Sequence, residues 1–300
     1  MVNLPAKDCI VFEDAPKGVE AAKNAGMNPP NGSVINYYLK SVNDSSMVSI
    51  DILDRNKKLI NTFSTRAKEK SKQLEIASGM NQFVWDMKYD SAEKVRGLIL
   101  WHGAVAGPKA APGQYFYKIK ADKDSAEGSF TIKANPIYGL SQKDYDDQFN
   151  FLLSVRDKFS EIQRAILNIT TLRKQINDFV ALQGKEIPKP IKQQADSINK
   201  QMTVVEEALH QTKAKSGQDV LNYPIRLDDK ISGLYDFASS GNAAPARQVI
   251  EAFSFLSAQA DVQLNKLKQI METDVANFNK MIRENALPVI GVKNEMGQGN

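Results

Sequence analysis

The chain has 300 residues, 42% of them hydrophobic and 25% charged, an ordinary composition for a globular protein and enough length for two or three domains. Its 39 basic and 35 acidic side chains leave a net charge of +4, spread along the sequence rather than gathered into a stripe with interleaved aromatics, which argues against nucleic-acid binding. A single cysteine, Cys9, excludes an internal disulfide, and the two histidines, His102 and His210, lie too far apart in sequence for a zinc-ligand pattern and read as structural or surface residues.

Residues 1–27 read as a strand-turn-helix unit. Cys9-Ile10-Val11-Phe12 suits a buried parallel strand, Pro16 and Gly18 punctuate a turn, and Val19 to Ala25 make a short helix closed by Gly26. A seam follows near Met27 and Asn28, where one type of sequence stops and another begins. The paired acids Glu13 and Asp14 after the apolar run resemble the last motif of the haloacid dehalogenase-like phosphatases, especially the β-phosphoglucomutase branch. That resemblance implies that Glu13 and Asp14 help hold Mg²⁺ beside a phosphate, since hard divalent cations take carboxylate oxygens. It covers only the first tenth of the chain, and the family's Asp-x-Asp nucleophile loop, phosphate-binding Ser or Thr and charge-balancing Lys are not found. Asp122-Lys123-Asp124-Ser125 imitates the loop but reads as a hairpin turn. No phosphoryl transfer is expected, and Mg²⁺ is a cofactor only if the phosphatase alternative holds.

From residue 28 to about 134 the pattern changes to short strands with two-residue alternation. The expected strands are Val34 to Leu39, Met47 to Leu53, Leu59 to Thr65, Asn81 to Asp86, Gly113 to Lys120 and Gly128 to Lys133. In the fifth, Tyr115, Tyr117 and Ile119 share a face, and one face is expected to be core. Asp54-Arg55-Asn56-Lys57 reads as a hairpin turn.

Val48 to Asp54, Phe83-Val84-Trp85-Asp86 and Pro112 to Tyr117 resemble the immunoglobulin-like domain of flagellar hook-capping proteins, which implies an immunoglobulin-like β-sandwich with Trp85 as core anchor. Asn28 to Gly32, Trp85-Asp86 and Gly107 to Gly113 are similar to the C-terminal region of large bacterial proteins whose upstream part is a sortilin-like, BNR-repeat β-propeller. Those proteins carry glycosidase-like labels and are extracytoplasmic. Any such activity would belong to the propeller, whose repeat is not found here. Trp101, in the loop before Gly107-Pro108, is the one candidate ligand-binding residue, for a glycan stacked on its ring.

Residues 141–287 read as helical. Ser141 with Asp144 resembles a capping pair opening a helix to about Leu182, with Leu152, Val155, Phe159, Ile162, Ile166, Ile169, Leu172, Ile176 and Val180 at three-and-four spacing. Ile191, Ala195, Ile198, Met202, Val205 and Leu209 mark one narrow buried stripe on a second helix. Leu227 to Ala238 reads as a short helix, and a last, long one runs from Pro245 to about Asn285. An antiparallel bundle is the expected arrangement, followed by a flexible tail over 288–300.

The expected whole is an immunoglobulin-like β-sandwich followed by an all-α antiparallel helical bundle, with no catalytic residues. Its role is structural or binding, and its partner is a protein or the missing propeller domain. The alternatives are a Mg²⁺-dependent phosphatase or phosphomutase and a glycan-binding module. No run of about 18 apolar residues offers a membrane span, and a signal-peptide pattern is missing, so the chain as written is expected to be cytoplasmic. It is also expected to be monomeric.

Overall fold

The computed structural model describes residues 30–43, 45–103 and 105–290. Two compact units divide them: residues 30–90 with 107–149, and residues 91–106 with 150–290. Glu13, Asp14 and the whole 1–27 segment lie outside the described residues, as do 291–300 of the expected tail.

The first unit holds two small antiparallel sheets. Strands β1 (Ser33–Leu39) and β4 (Gly79–Trp85) pair with each other, while β2 (Val48–Leu53), β3 (Leu59–Ser64), β5 (Gly113–Ala121) and β6 (Asp124–Ile132) form a sheet in the order β3-β2-β5-β6. Turn chemistry sets the registers. Asp54 Oδ1 accepts from the backbone N–H groups of Asn56 and Lys58 at 2.8 and 2.9 Å, and Lys57 takes the left-handed φ of 60° that the β2–β3 turn requires. The β5–β6 hairpin turns at Asp122, with φ 52°, so Asp122 to Ser125 is turn and strand start, as read from the sequence.

Alternation then decides burial. Ile35, Tyr37 and Leu39 of β1, Val48, Ile50 and Ile52 of β2, and Tyr115 and Ile119 of β5 point into one apolar core around the fully buried Trp85. The Trp85 indole N–H donates to Lys88 O at 3.3 Å, and its ring meets those of Tyr115 and Phe130. Burial pushes the Tyr115 phenol up to about 12, and its hydroxyl donates to Ala111 O at 2.8 Å.

The second unit is helical. Helix α1 (Gln142–Gln183) starts in the first unit and contributes most of its length here; α2 (Lys189–Leu209) and α3 (Leu227–Ser239) follow. A continuous rod closes the chain: α4 (Arg247–Gln269), a π-helical stretch Ile270–Val275 and α5 (Ala276–Glu284). The capping pair forms, Ser141 N donating to Asp144 Oδ2 at 2.9 Å and Asp144 N to Ser141 Oγ at 3.2 Å. The stripe from Ile191 to Leu209 on α2 is buried at every predicted position.

The expected fold class is corrected. Among the described residues six strands form close to where the alternation put them, but they divide as two and four, short of the seven of an immunoglobulin-like sandwich. The described residues between β4 and β5 add only an isolated bridge, Lys88 to Lys109, and residues 91–106 belong to the helical unit instead. The antiparallel bundle fails as well. Phe151 meets Phe253 at a centroid distance of 5.4 Å and Phe179 meets Phe278 at 5.7 Å, so α1 and the closing rod run in the same direction. Helices α2 and α3 oppose them: Arg173 of α1 pairs with Glu206 of α2 at 2.8 Å and Asn177 bonds Asn199 at 2.9 Å, while the start of α3 meets Gln163 through Asp228 and Tyr235, two turns on, lies near Arg156. The chain is a mixed protein, two small antiparallel sheets plus a helical C-terminal half. No helix among the described residues is long and apolar enough to cross a membrane.

Candidate functional site

The helical unit encloses a polar cluster where a core would otherwise be apolar. Its floor is Gln163 of α1, 1% exposed, and its centre is Asp228, fully buried in the first turn of α3. His210, directly after α2, places Nδ1 2.7 Å from Asp228 Oδ2, and Gln163 Nε2 donates to the same oxygen at 3.3 Å. The other oxygen of Asp228 accepts from the Asp229 backbone N–H at 2.7 Å, so an otherwise open N–H of the helix start has an acceptor. Burial raises the Asp228 carboxyl above its ordinary value of 3.8; the His210 contact opposes the shift without cancelling it.

Asp229, 3% exposed, carries the cluster outward. Its two oxygens accept from two successive backbone N–H groups, Trp101 at 2.7 Å and His102 at 2.9 Å. Adjacent N–H groups converging on one carboxylate form a small anion-binding concavity, and here the anion is the protein's own. The segment 91–106 is a strap held at further points: Glu93 N donates to Ser160 Oγ and Val95 N to Gln163 Oε1, both at 3.1 Å. Val105 is buried in the helical core, against which Ala92, Val95, Leu98 and Leu100 also pack. His102 lies against Gly233 of α3, with Nδ1 3.5 Å from Asp236 Oδ2. A side chain at position 233 would have to displace that ring.

Of the residues singled out from the sequence, Trp101 belongs to this strap. Its backbone is bonded to Asp229 while the residue stays 54% exposed. His210 is a buried hydrogen-bonding residue, and His102 a strap residue. Gln163, Asp228 and Asp229 were not singled out, although a signal existed. Asp228 precedes Ile231, Tyr235 and Ala238 at spacings of three, four and three, and Gln163 sits four residues after Phe159 and three before Ile166. A polar residue in the register of an apolar stripe must find partners inside.

Chemically the cluster is a closed set of donors and acceptors. Among the described residues no three histidine, cysteine, aspartate or glutamate side chains converge in a metal-binding group. In comparisons with known proteins, no family model and no curated protein matches the chain.

Proposed function

We propose that the chain is a non-catalytic structural and binding module, acting as the C-terminal region of a propeller-containing bacterial protein. The observation that supports this most is how the buried polar groups are used. His210, Gln163, Asp228 and Asp229 bond to one another and to the strap backbone, leaving the His–Asp pair committed to holding chain segments together. A general base must reach a substrate proton within hydrogen-bonding distance, and His210 is 4% exposed. The partner in this reading is a protein, such as the propeller. The test is direct: the purified chain, assayed with Mg²⁺ on p-nitrophenyl phosphate and on p-nitrophenyl glycosides, gives no turnover above buffer. A rate abolished by Asp14→Ala or by Asp228→Asn would overturn the reading.

One observation favours a second reading. Trp101 keeps its ring exposed while its backbone is fixed, an arrangement suited to stacking on a sugar face. A glycan array on which the chain binds and Trp101→Ala does not would establish it.

A further inference from the structure

Away from the strap, the helical unit has an open cleft of about 330 Å³ where α2, α3 and α4 meet, within the volume range of about 300–1,000 Å³ typical of ligand clefts. Arg226, just ahead of α3, and Lys230, one turn into it, stand on its rim. Among the described residues neither cation has an ion pair, in a chain that pairs many of its other charges. Ala208, Leu227 and Val262 give the cleft an apolar lining, with Leu227 buried and Val262 52% exposed. Gln259 and Gln263 also line it.

Apolar surface continues outward along both flanking helices. Val204, one turn before Ala208 on α2, is 58% exposed, and Phe255, two turns before Val262 on α4, is 66% exposed. These features ask for different things at once. The cations call for a carboxylate or phosphate, and the apolar lining and its extensions for apolar side chains. A free phosphate ion satisfies only the first. A peptide bearing acidic and apolar side chains satisfies both, with carboxylates for Arg226 and Lys230.

We propose that this cleft docks an acidic, partly apolar peptide segment of a partner protein, an inference that rests on the binding-module reading above. It names the surface and the chemistry of the occupant.

The probe is a fluorescein-labelled peptide of alternating Glu and Leu residues, titrated against the whole chain and followed by fluorescence anisotropy and by backbone amide shifts. Controls are the matching Lys-Leu and Glu-Ser peptides and inorganic phosphate. The expected result is that the Glu-Leu peptide shifts the amides around Arg226, Lys230 and Gln263. The doubly reversed chain, Arg226→Glu with Lys230→Glu, should lose at least about tenfold in affinity for it and gain affinity for the Lys-Leu peptide. Both positions are on the rim, so circular dichroism should show the reversed chain folded; Lys230→Gln alone, at an exposed site, should show a smaller loss in the same direction. Equal binding of the Lys-Leu peptide to the unaltered chain would overturn the proposal. So would phosphate moving the same amides as far as the peptide does, or a reversed chain that binds Glu-Leu unchanged. None of these outcomes bears on turnover, so a failure here is distinguishable from a failure of the non-catalytic reading.

Discussion

His210 Nδ1 lies 2.7 Å from Asp228 Oδ2, with both side chains almost wholly removed from solvent. The contact joins the end of α2 to the start of α3 across an irregular link of more than a dozen residues, and it does so with groups that are expensive to bury singly. Gln163 and the Asp229 backbone N–H complete the carboxylate's partners, so removing the carboxylate leaves several donors without an acceptor.

Asp228→Ala is therefore expected to destabilise the helical unit by about 1–3 kcal/mol, the range for leaving buried donors without an acceptor. Urea denaturation followed by circular dichroism measures it. The pH dependence has a definite sign. Because burial holds the Asp228 carboxyl above 3.8, its protonated form is the one the fold favours, and that stabilisation is complete below 3.8 and lost as pH rises through the raised value. The stability of the natural chain relative to Asp228→Asn should accordingly fall as the pH rises above 3.8. A difference that stays flat or rises would show the Asp228 carboxyl to be held ionised.

Asp229 supports the strap, and its loss should be read there. Asp229→Ala removes the acceptor of two backbone N–H groups and should cost about 1–3 kcal/mol. In hydrogen exchange the amides of Trp101 and His102 should lose protection, while the Ile191 to Leu209 stripe of α2 keeps its own. Loss of protection throughout the unit would mean that the strap and helices open as one cooperative piece.

Gly233 tests the same strap from the helix side. A Cβ there would come 2.9 Å from His102 Nε2, yet alanine is intrinsically better than glycine inside a helix by about 1 kcal/mol. In the natural chain these effects oppose each other, and Gly233→Ala should be neutral or destabilising. Combined with His102→Ala the clash disappears, and the same substitution should stabilise by up to about 1 kcal/mol. The double-mutant cycle reads the coupling directly.

The sequence made the elements legible because their periodicities are strong. The β1, β2 and β5 faces, the α2 stripe and the buried positions of α1 all follow from spacing alone. Their assembly did not, for physical reasons that act at long range. Nothing in the alternation of β1 or β4 states that each takes only the other as partner. Nothing local sends residues 91–106 to the helices either: the strap's hold comes mainly from backbone N–H groups, which every sequence has, finding Ser160, Gln163 and Asp229 some 67 to 128 residues away. The polar cluster was partly legible, since Asp228 and Gln163 stand in apolar register. Trp101 was legible as an exposed aromatic but not as a residue anchored through its main chain.

In the sheet unit Trp85 is the packing centre. Trp85→Ala should cost about 3–5 kcal/mol, because it removes a fully buried ring from contact with Tyr115 and Phe130 and leaves a cavity. Thermal denaturation watched by tyrosine fluorescence measures the loss, with Trp101→Ala as the exposed counterpart. Unchanged stability in Trp85→Ala would remove the indole from its place as the core anchor.

The last prediction separates a self-sufficient helical unit from half of an interface. Ile198 is fully buried on α2, two positions from the exposed Lys200 on the opposite side of the same helix. Its stripe is covered from within the chain, since α1 meets α2 through the Arg173–Glu206 pair and the closing rod packs on it near Gln194 and Asp274. Ile198→Asp then places an unpaired charge in a dry site and should unfold the helical unit, while Lys200→Asp should change stability by less than about 0.5 kcal/mol. Circular dichroism gives the folding state and sedimentation the mass. A natural chain that sediments as a dimer, with Ile198→Asp yielding a folded helical monomer, would show that a second copy covers the stripe in solution. Unfolding without any change of mass in the natural chain at rising concentration assigns the stripe to the core of a monomer.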